Sequence, residues 1–205
     1  MELNEIIANR RSVKSYDPNH AITDDELKAL FERVILSPSS FNLQHWRFVV
    51  VRDSARKKQL REISYNQEQV ENASAVIVVA GKLDAHRDVA EIYKDAPEPV
   101  RQAMIPMIDG FYAEKRQMQR DEAIRSCSLA AMTLMLAAYD MGYATGPMIG
   151  FDPVAVGEFV GLDEKHVPVM MIVIGKKTGD MRSRAFRYPP SNVVKLESLD
   201  GEGLA

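Results

Sequence analysis

Ser37-Pro38-Ser39-Ser40-Phe41-Asn42-Leu43-Gln44-His45-Trp46 leads without a break into Arg47-Phe48-Val49-Val50-Val51-Arg52, and this junction decides how the chain reads. The first half gathers hydroxyls, two amides and the only tryptophan with no hydrophobic period, which describes a loop. The second half is a β-branched apolar run between charged ends, the pattern of a buried strand. Upstream, Thr23-Asp24-Asp25-Glu26 has the spacing of a capping box, and Leu27, Leu30, Phe31 and Val34 then share one helical face to about residue 36. A helix therefore passes through a polar loop into a sheet.

The same reading extends in both directions. Leu3, Ile6 and Ile7 predict a short helix over residues 2–9 that exits at Arg10 and Arg11. Residues 54–63 suggest another helix, and Ala75 to Ala80 a second strand buried on both faces, like the first. Residues 84–120 read as a polar helical excursion broken by Pro97, Pro99 and Pro106. The longest helix is expected over 121–141, its acidic start favoured by the helix dipole and Gly142 closing it. Its Ala, Met and Leu surround the whole cylinder, as in a central or interface helix. A loop from Tyr143 to Phe151, a helix from Pro153 to about Val160, a buried strand from Val167 to Ile174 and an edge strand over Val193 to Leu196 complete the chain. Long helices with few strands indicate an α+β sandwich, with a doubly wound α/β sheet as the alternative.

The 205 residues suit a single domain spanning 1–205, with the excursion and an arm at about 189–205 as additions. Hydrophobic residues at 46% and charged residues at 27% exclude a disordered or fibrous chain. A net charge of -3 is too balanced for a global nucleic-acid or membrane footprint, so any anion site is local. With Cys127 as the only cysteine there is no disulfide and no zinc-type spacing, and no metal is expected. The acidic start lacks a signal-peptide pattern, and a cytoplasmic location is the expectation. Phosphate-loop, dinucleotide-turn, zinc-protease and serine-hydrolase signatures are all absent.

What remains is a set of small polar clusters. Arg10-Arg11-Ser12-Val13-Lys14 outlines an anion clamp, since guanidinium forks bind phosphate bidentately; alone, it equally describes a complemented helix end in water. Lys176, Lys177, Arg182, Arg184 and Arg187 form a second basic group, with a solvated loop as the plainer reading. The Ser37–Trp46 amides and hydroxyls can read the edge of a planar heterocycle or merely stabilise a turn above a core Trp. Asn66, Gln67 and Gln69 repeat the amide theme, where a surface helix is the plainer alternative, and Gly146-Pro147-Met148-Ile149-Gly150 could offer backbone N–H groups to a ligand.

Taken in order, these segments resemble the flavin-dependent nitroreductase family. The match comprises Arg10-Arg11-Ser12-x-Lys14, Pro38-Ser39-Ser40-x-Asn42-x-Gln44-x-Trp46-x-Phe48, Asn66-Gln67-x-Gln69-Val70, Pro147-x-x-Gly150-Phe151 and Arg187-x-Pro189. The resemblance implies a three-layer α-β-α sandwich around a mostly antiparallel sheet, built as an intertwined homodimer with FMN at the subunit interface. It implies Arg10, Arg11, Ser12 and Arg187 around the FMN phosphate and Lys14 near N1/O2 of the ring. Pro38, Ser39, Ser40 and Asn42 would come from the other subunit, and Gln44 would also bind the cofactor. Asn66 and Gln69 would address the ring or ribityl chain, and Pro147, Ile149 and Gly150 would line N5. It further implies reduction of FMN by NADH or NADPH and ping-pong transfer of two electrons to a small-molecule nitroaromatic or quinone-like acceptor. Phe111 and Tyr112 would meet that acceptor, Tyr112 being the preferred residue. The family's flavin would carry the chemistry without a side-chain acid or base. A flavin-binding sensor without turnover, or another flavin reaction such as reductive dehalogenation, are the alternatives.

Several positions depart from the family pattern. His45 stands where Pro is usual, Ile149 where some members have Glu, and Gln69 and Ala185 where some have Lys. Arg184 or Lys176 are the candidates to restore the missing positive charge, and His45 could deliver protons or make a structural hydrogen bond.

Overall fold

The computed structural model describes residues 1–204. Four strands, β1 (Trp46–Val51), β2 (Ala75–Lys82), β3 (Ala144–Met148) and β4 (His166–Gly175), form one sheet in the order β1-β2-β4-β3, every pair antiparallel. This excludes the doubly wound alternative, which needs parallel neighbours. Helices cover both faces, giving the α-β-α sandwich.

The period of two along β2 explains the layering. Ile77 and Val79 point into one core, with Ile172 and Ile174 of β4, against α2 (Asp24–Val34) and α7 (Arg116–Asp140). Val76 and Val78 point the other way, with Met171 and Val173, against α3 (Ser54–Glu62), α4 (Glu68–Asn72) and α8 (Pro153–Val160). Thr23 and Glu26 make the expected capping box at α2. Cys127 is buried against the Ala80 carbonyl, and burial pushes its thiol up to about 12, as suits an inert core thiol.

Several expectations change. β1 is an edge strand whose middle is only half-buried, because nothing among the described residues pairs beyond it. The expected 143–151 loop contains β3, held by β4 despite Gly146 and Pro147. The long helix begins at Arg116, so Asp121 and Glu122 lie beyond its first turn. In the excursion, α5 (Val89–Ile92) is followed by α6 (Glu98–Tyr112), which passes through Pro106 instead of breaking there. No strand forms over 193–196. A single helical turn, α9 (Pro190–Val193), occupies the arm, in which Leu199 is 95% exposed; just before the arm, Phe186 and Tyr188 are 75% and 65% exposed. Among the described residues no helix is long and apolar enough to cross a membrane.

Candidate functional site

The segment after α1 (Leu3–Asn9) runs along the end of the sheet. Ser12 bridges Thr145 of β3, and the Val13 amide donates to the Thr145 carbonyl at 3.0 Å. Gly146 permits this approach, since a Cβ there would lie 2.7 Å from the Val13 carbonyl oxygen and 3.0 Å from Val173 Cγ2. Tyr16 pairs with Lys177, Asp17 donates to the Lys176 carbonyl at 2.8 Å, and Thr178 donates to the Ser15 carbonyl at 3.0 Å. These bonds draw together two basic clusters far apart in sequence.

The result is a cavity of about 220 Å³ lined by Arg10, Arg11, Ser12, Arg182, Arg184 and Arg187, with no acidic side chain in its wall. Two of the arginines are committed to the C-terminus of α1. Arg184 Nη2 donates to the Ile7 and Ala8 carbonyls at 3.0 and 2.8 Å, and Arg11 Nη1 donates to the Ala8 carbonyl at 2.7 Å. Arg10 and Arg187 have no such anchor: Arg10 Nη1 is buried without a partner, and Arg187 Nη1 reaches only the neighbouring Ala185 and Phe186 carbonyls. Burial and then the surrounding charges of Arg184, Arg11 and Arg187 push the Arg10 pKa down. Such a cluster is stabilised by a multiply charged anion, and a phosphate fits its donor set. Beside it, Ser12, Lys14, Lys177, Asp180 and Arg182 line a second cavity of about 110 Å³.

Of the two suggested replacement cations, only Arg184 lines the cavity. Arg184 faces the cavity but caps α1, while Lys176 donates to the Gly142 carbonyl at 2.9 Å and sits 3.9 Å over the Tyr143 ring. Arg182 and Lys177, which the motif pattern does not mark as site residues, line the cavities as well.

Asn66 lies in a turn where Tyr65 and Asn66 both have left-handed backbones, φ 53° and 55°. Gln67 closes this turn onto the Pro147–Gly150 loop: its Nε2 donates to the Gly150 carbonyl at 2.7 Å, and a Cβ on Gly150 would meet that nitrogen at 2.9 Å. Gln69 is buried and donates to Gln67 Oε1 at 2.8 Å, so it supports Gln67 instead of facing a ligand. The amide spacing at 66, 67 and 69 was the available signal for Gln67. Pro147 pairs with Ile172 in the sheet, and the Ile149 side chain is 79% exposed.

The Pro38–Gln44 loop lies elsewhere. It enters β1 at Trp46, which pairs with Gly81 next to the start of β4, whereas Ser12 and Lys177 lie beyond the opposite end of β4. Phe41, Asn42 and Gln44 take left-handed φ values of 50°, 57° and 48°. Ser39 Oγ accepts the Gln44 amide at 3.0 Å, while Leu43 is buried. Trp46 is core. His45 is buried with Nδ1 unpartnered, and burial pulls its pKa down to about 4, so it holds no proton to deliver near neutrality. Phe111 is 41% exposed, but Tyr112 is 2% exposed, and its hydroxyl lies 2.9 Å from Ser40 Oγ. Tyr112 therefore offers no surface to an acceptor.

The family model for the nitroreductase family matches residues 7–176. The chain belongs to the nitroreductase family. Among its relatives in that family, protein DrgA of Synechocystis sp. is 41% identical over 194 residues, covering 94% of this chain and 92% of that protein. MhqN of Bacillus subtilis, to which NAD(P)H nitroreductase activity is attributed, is 38% identical over 202 residues, covering 95% and 98%. A protein from Exiguobacterium sibiricum crystallised in complex with FMN superposes with a TM-score of 0.90 at 33% identity, over 96% of this chain and 98% of that one. Within this nitroreductase chain, the Arg10–Lys14 motif thus borders one end of the sheet, the Gln44–Trp46 segment enters it at the other, and the Gln67–Gly150 pair lies between them.

Proposed function

We propose that the protein is an FMN-dependent NAD(P)H oxidoreductase that works as a homodimer and passes electrons by a ping-pong sequence to nitroaromatic or quinone-like acceptors. The observation that carries this reading is the acid-free cavity where Arg10 and Arg187 converge with no anion among the described residues to neutralise them. Arg10, Ser12 and Arg187 would hold the phosphate of FMN, and Lys14, in the adjoining cavity, would carry the positive charge that favours a reduced, anionic ring. When bound, FMN supplies the two-electron chemistry, taking the pair from NADH or NADPH and giving it to the acceptor. The chain's own part is to bind and orient. Relief of repulsion between the half-buried Arg10 and its neighbouring guanidiniums favours the phosphate, and the Gln67–Gly150 hydrogen bond fixes the loop carrying Ile149.

The separation of the motifs favours two chains per site. A Pro38–Gln44 loop that enters the sheet at the end away from the Ser12–Thr145 bridge is placed to serve a cofactor bound to a second copy. The segment from Phe186 through the arm, with exposed Phe186, Tyr188 and Leu199, offers the apolar surface such a pairing would cover.

Stopped-flow mixing of the flavin-loaded protein with NADH or NADPH, followed by a nitroaromatic or a quinone, tests the reading. Rapid bleaching and then recovery of the flavin absorbance is expected. A colourless protein that does not rebind FMN contradicts the cofactor, and bound flavin that stays oxidised contradicts the enzyme.

A further inference from the structure

The Pro38–Gln44 loop holds an expensive shape. Three non-glycine residues within four positions have φ near 50°, a conformation that costs an L-residue about 1–2 kcal/mol, and such strain persists only where surrounding contacts impose it. Within the loop, the Asn42 and Leu43 amides reach the Ser39 and Ser40 carbonyls at 3.1 and 3.0 Å. The strongest side-chain tie from outside comes from the excursion: the Tyr112 hydroxyl, at the last residue of α6, lies 2.9 Å from Ser40 Oγ. The ring that carries this hydroxyl is itself gripped. Phe111 and Phe41 meet it edge-on at 5.0 and 6.3 Å, and His86 stacks on it at 5.8 Å. A buried aromatic ring fixed on three sides aims its hydroxyl at one point, and that point is the loop.

We infer that Tyr112 is a positioning residue, clamping the strained Pro38–Gln44 loop into its flavin-binding shape and so coupling the helical excursion to the cofactor site. This role rests on the protein being a flavin enzyme. Tyr112 acts through Ser40 and touches no ligand itself. Phe in its place keeps the ring and its aromatic neighbours and removes only the tie.

The test measures FMN affinity by titration of the flavin-free protein and amide hydrogen exchange of that same protein. The proteins are wild type, Tyr112→Phe, Ser40→Ala and the double variant, with Arg10→Ala as reference. Loss of one hydrogen bond is expected to weaken FMN binding about fivefold in Tyr112→Phe. It should also speed exchange at the Asn42, Leu43 and Gln44 amides while leaving Val78 in β2 unchanged. The double variant should bind no more weakly than Ser40→Ala, since both remove one interaction. Unchanged affinity, unchanged loop exchange or additive losses each overturn the clamp. Should Tyr112→Phe fail to fold, Ser40→Ala removes the same bond from the loop side, and slow exchange there overturns it too. If wild type and Arg10→Ala alike fail to bind FMN, the flavin reading falls, and the exchange data still decide whether Tyr112 holds the loop.

Discussion

The two ends of the sheet are built on opposite principles. At one, the Arg10–Lys14 segment and residues 177–187 concentrate cations, and among the described residues Arg10 and Arg187 meet no acidic partner in the cavity they line. At the other, the Pro38–Gln44 loop carries no charge. Its hydroxyls and amides are tied to each other, its backbone is strained, and aromatic rings pack beneath it. The first end is disposed to bind by charge, and the second by shape. Each is incomplete: a charge cluster without its anion, and a rigid rim without anything to close on.

The charged end gives the largest expected effect. Arg10→Ala should weaken FMN binding about ten- to a hundredfold, the range for a charge-assisted hydrogen bond. Lys14→Ala should cost less, because its charge addresses the ring and not the dianion. Equilibrium titration ranks them, and equal losses would erase the proposed division of roles. Gly146→Ala attacks the seam that holds the charged end together. With 2.7 Å to the Val13 oxygen, the added methyl should destabilise the fold by about 1–3 kcal/mol, read from urea unfolding, and should weaken FMN binding in parallel. Unchanged stability would show that the N-terminal segment docks loosely.

Much of the layering was legible because it rests on local periodicity. Alternation in β2 and the Thr23–Glu26 box act over a few residues and need no distant partner. β3 was not legible, because Gly146 and Pro147 have poor strand propensity and only the neighbouring β4 makes them a strand. The expected strand at 193–196 is cut short to an isolated antiparallel bridge of Lys195 with Gly203, because the chain folds back on itself there instead of joining the sheet. At the site, the convergence of the basic clusters was anticipated from motif order. The choice between Phe111 and Tyr112 was not, since adjacent helical residues point about 100° apart and only the packing of α6 decides which faces inward. The buried position of Gln69 was hidden for a similar reason, its partner being Gln67 two residues away.

The shape-based end gives the smallest effect, and it depends on pH. Burial lowers the His45 pKa from 6.5 to about 4, with Arg47 and His86 adding to the shift and Glu122 opposing it. Between these values the unfolded chain binds a proton that the folded one refuses. The stability present above pH 6.5 is therefore lost as pH falls towards 4. His86, also lowered by burial, acts in the same direction. Urea midpoints measured across that window should fall with acidity, and His45→Gln should flatten part of the slope. An unaltered slope would mean that His45 is solvated.

Mixing two crippled variants probes most directly whether the two ends meet across subunits. Arg10→Ala spoils the charged end, and Ser40→Ala combined with Asn42→Ala spoils the loop. Each protein alone should bind FMN poorly. After dissociation and reassociation together, a symmetric dimer with sites shared between chains contains about half of the mixed-dimer sites fully intact, and FMN binding at near wild-type affinity should return at those sites. If mixing restores nothing while mixed dimers demonstrably form, both ends serve a cofactor within one chain, and the shared site between subunits is contradicted.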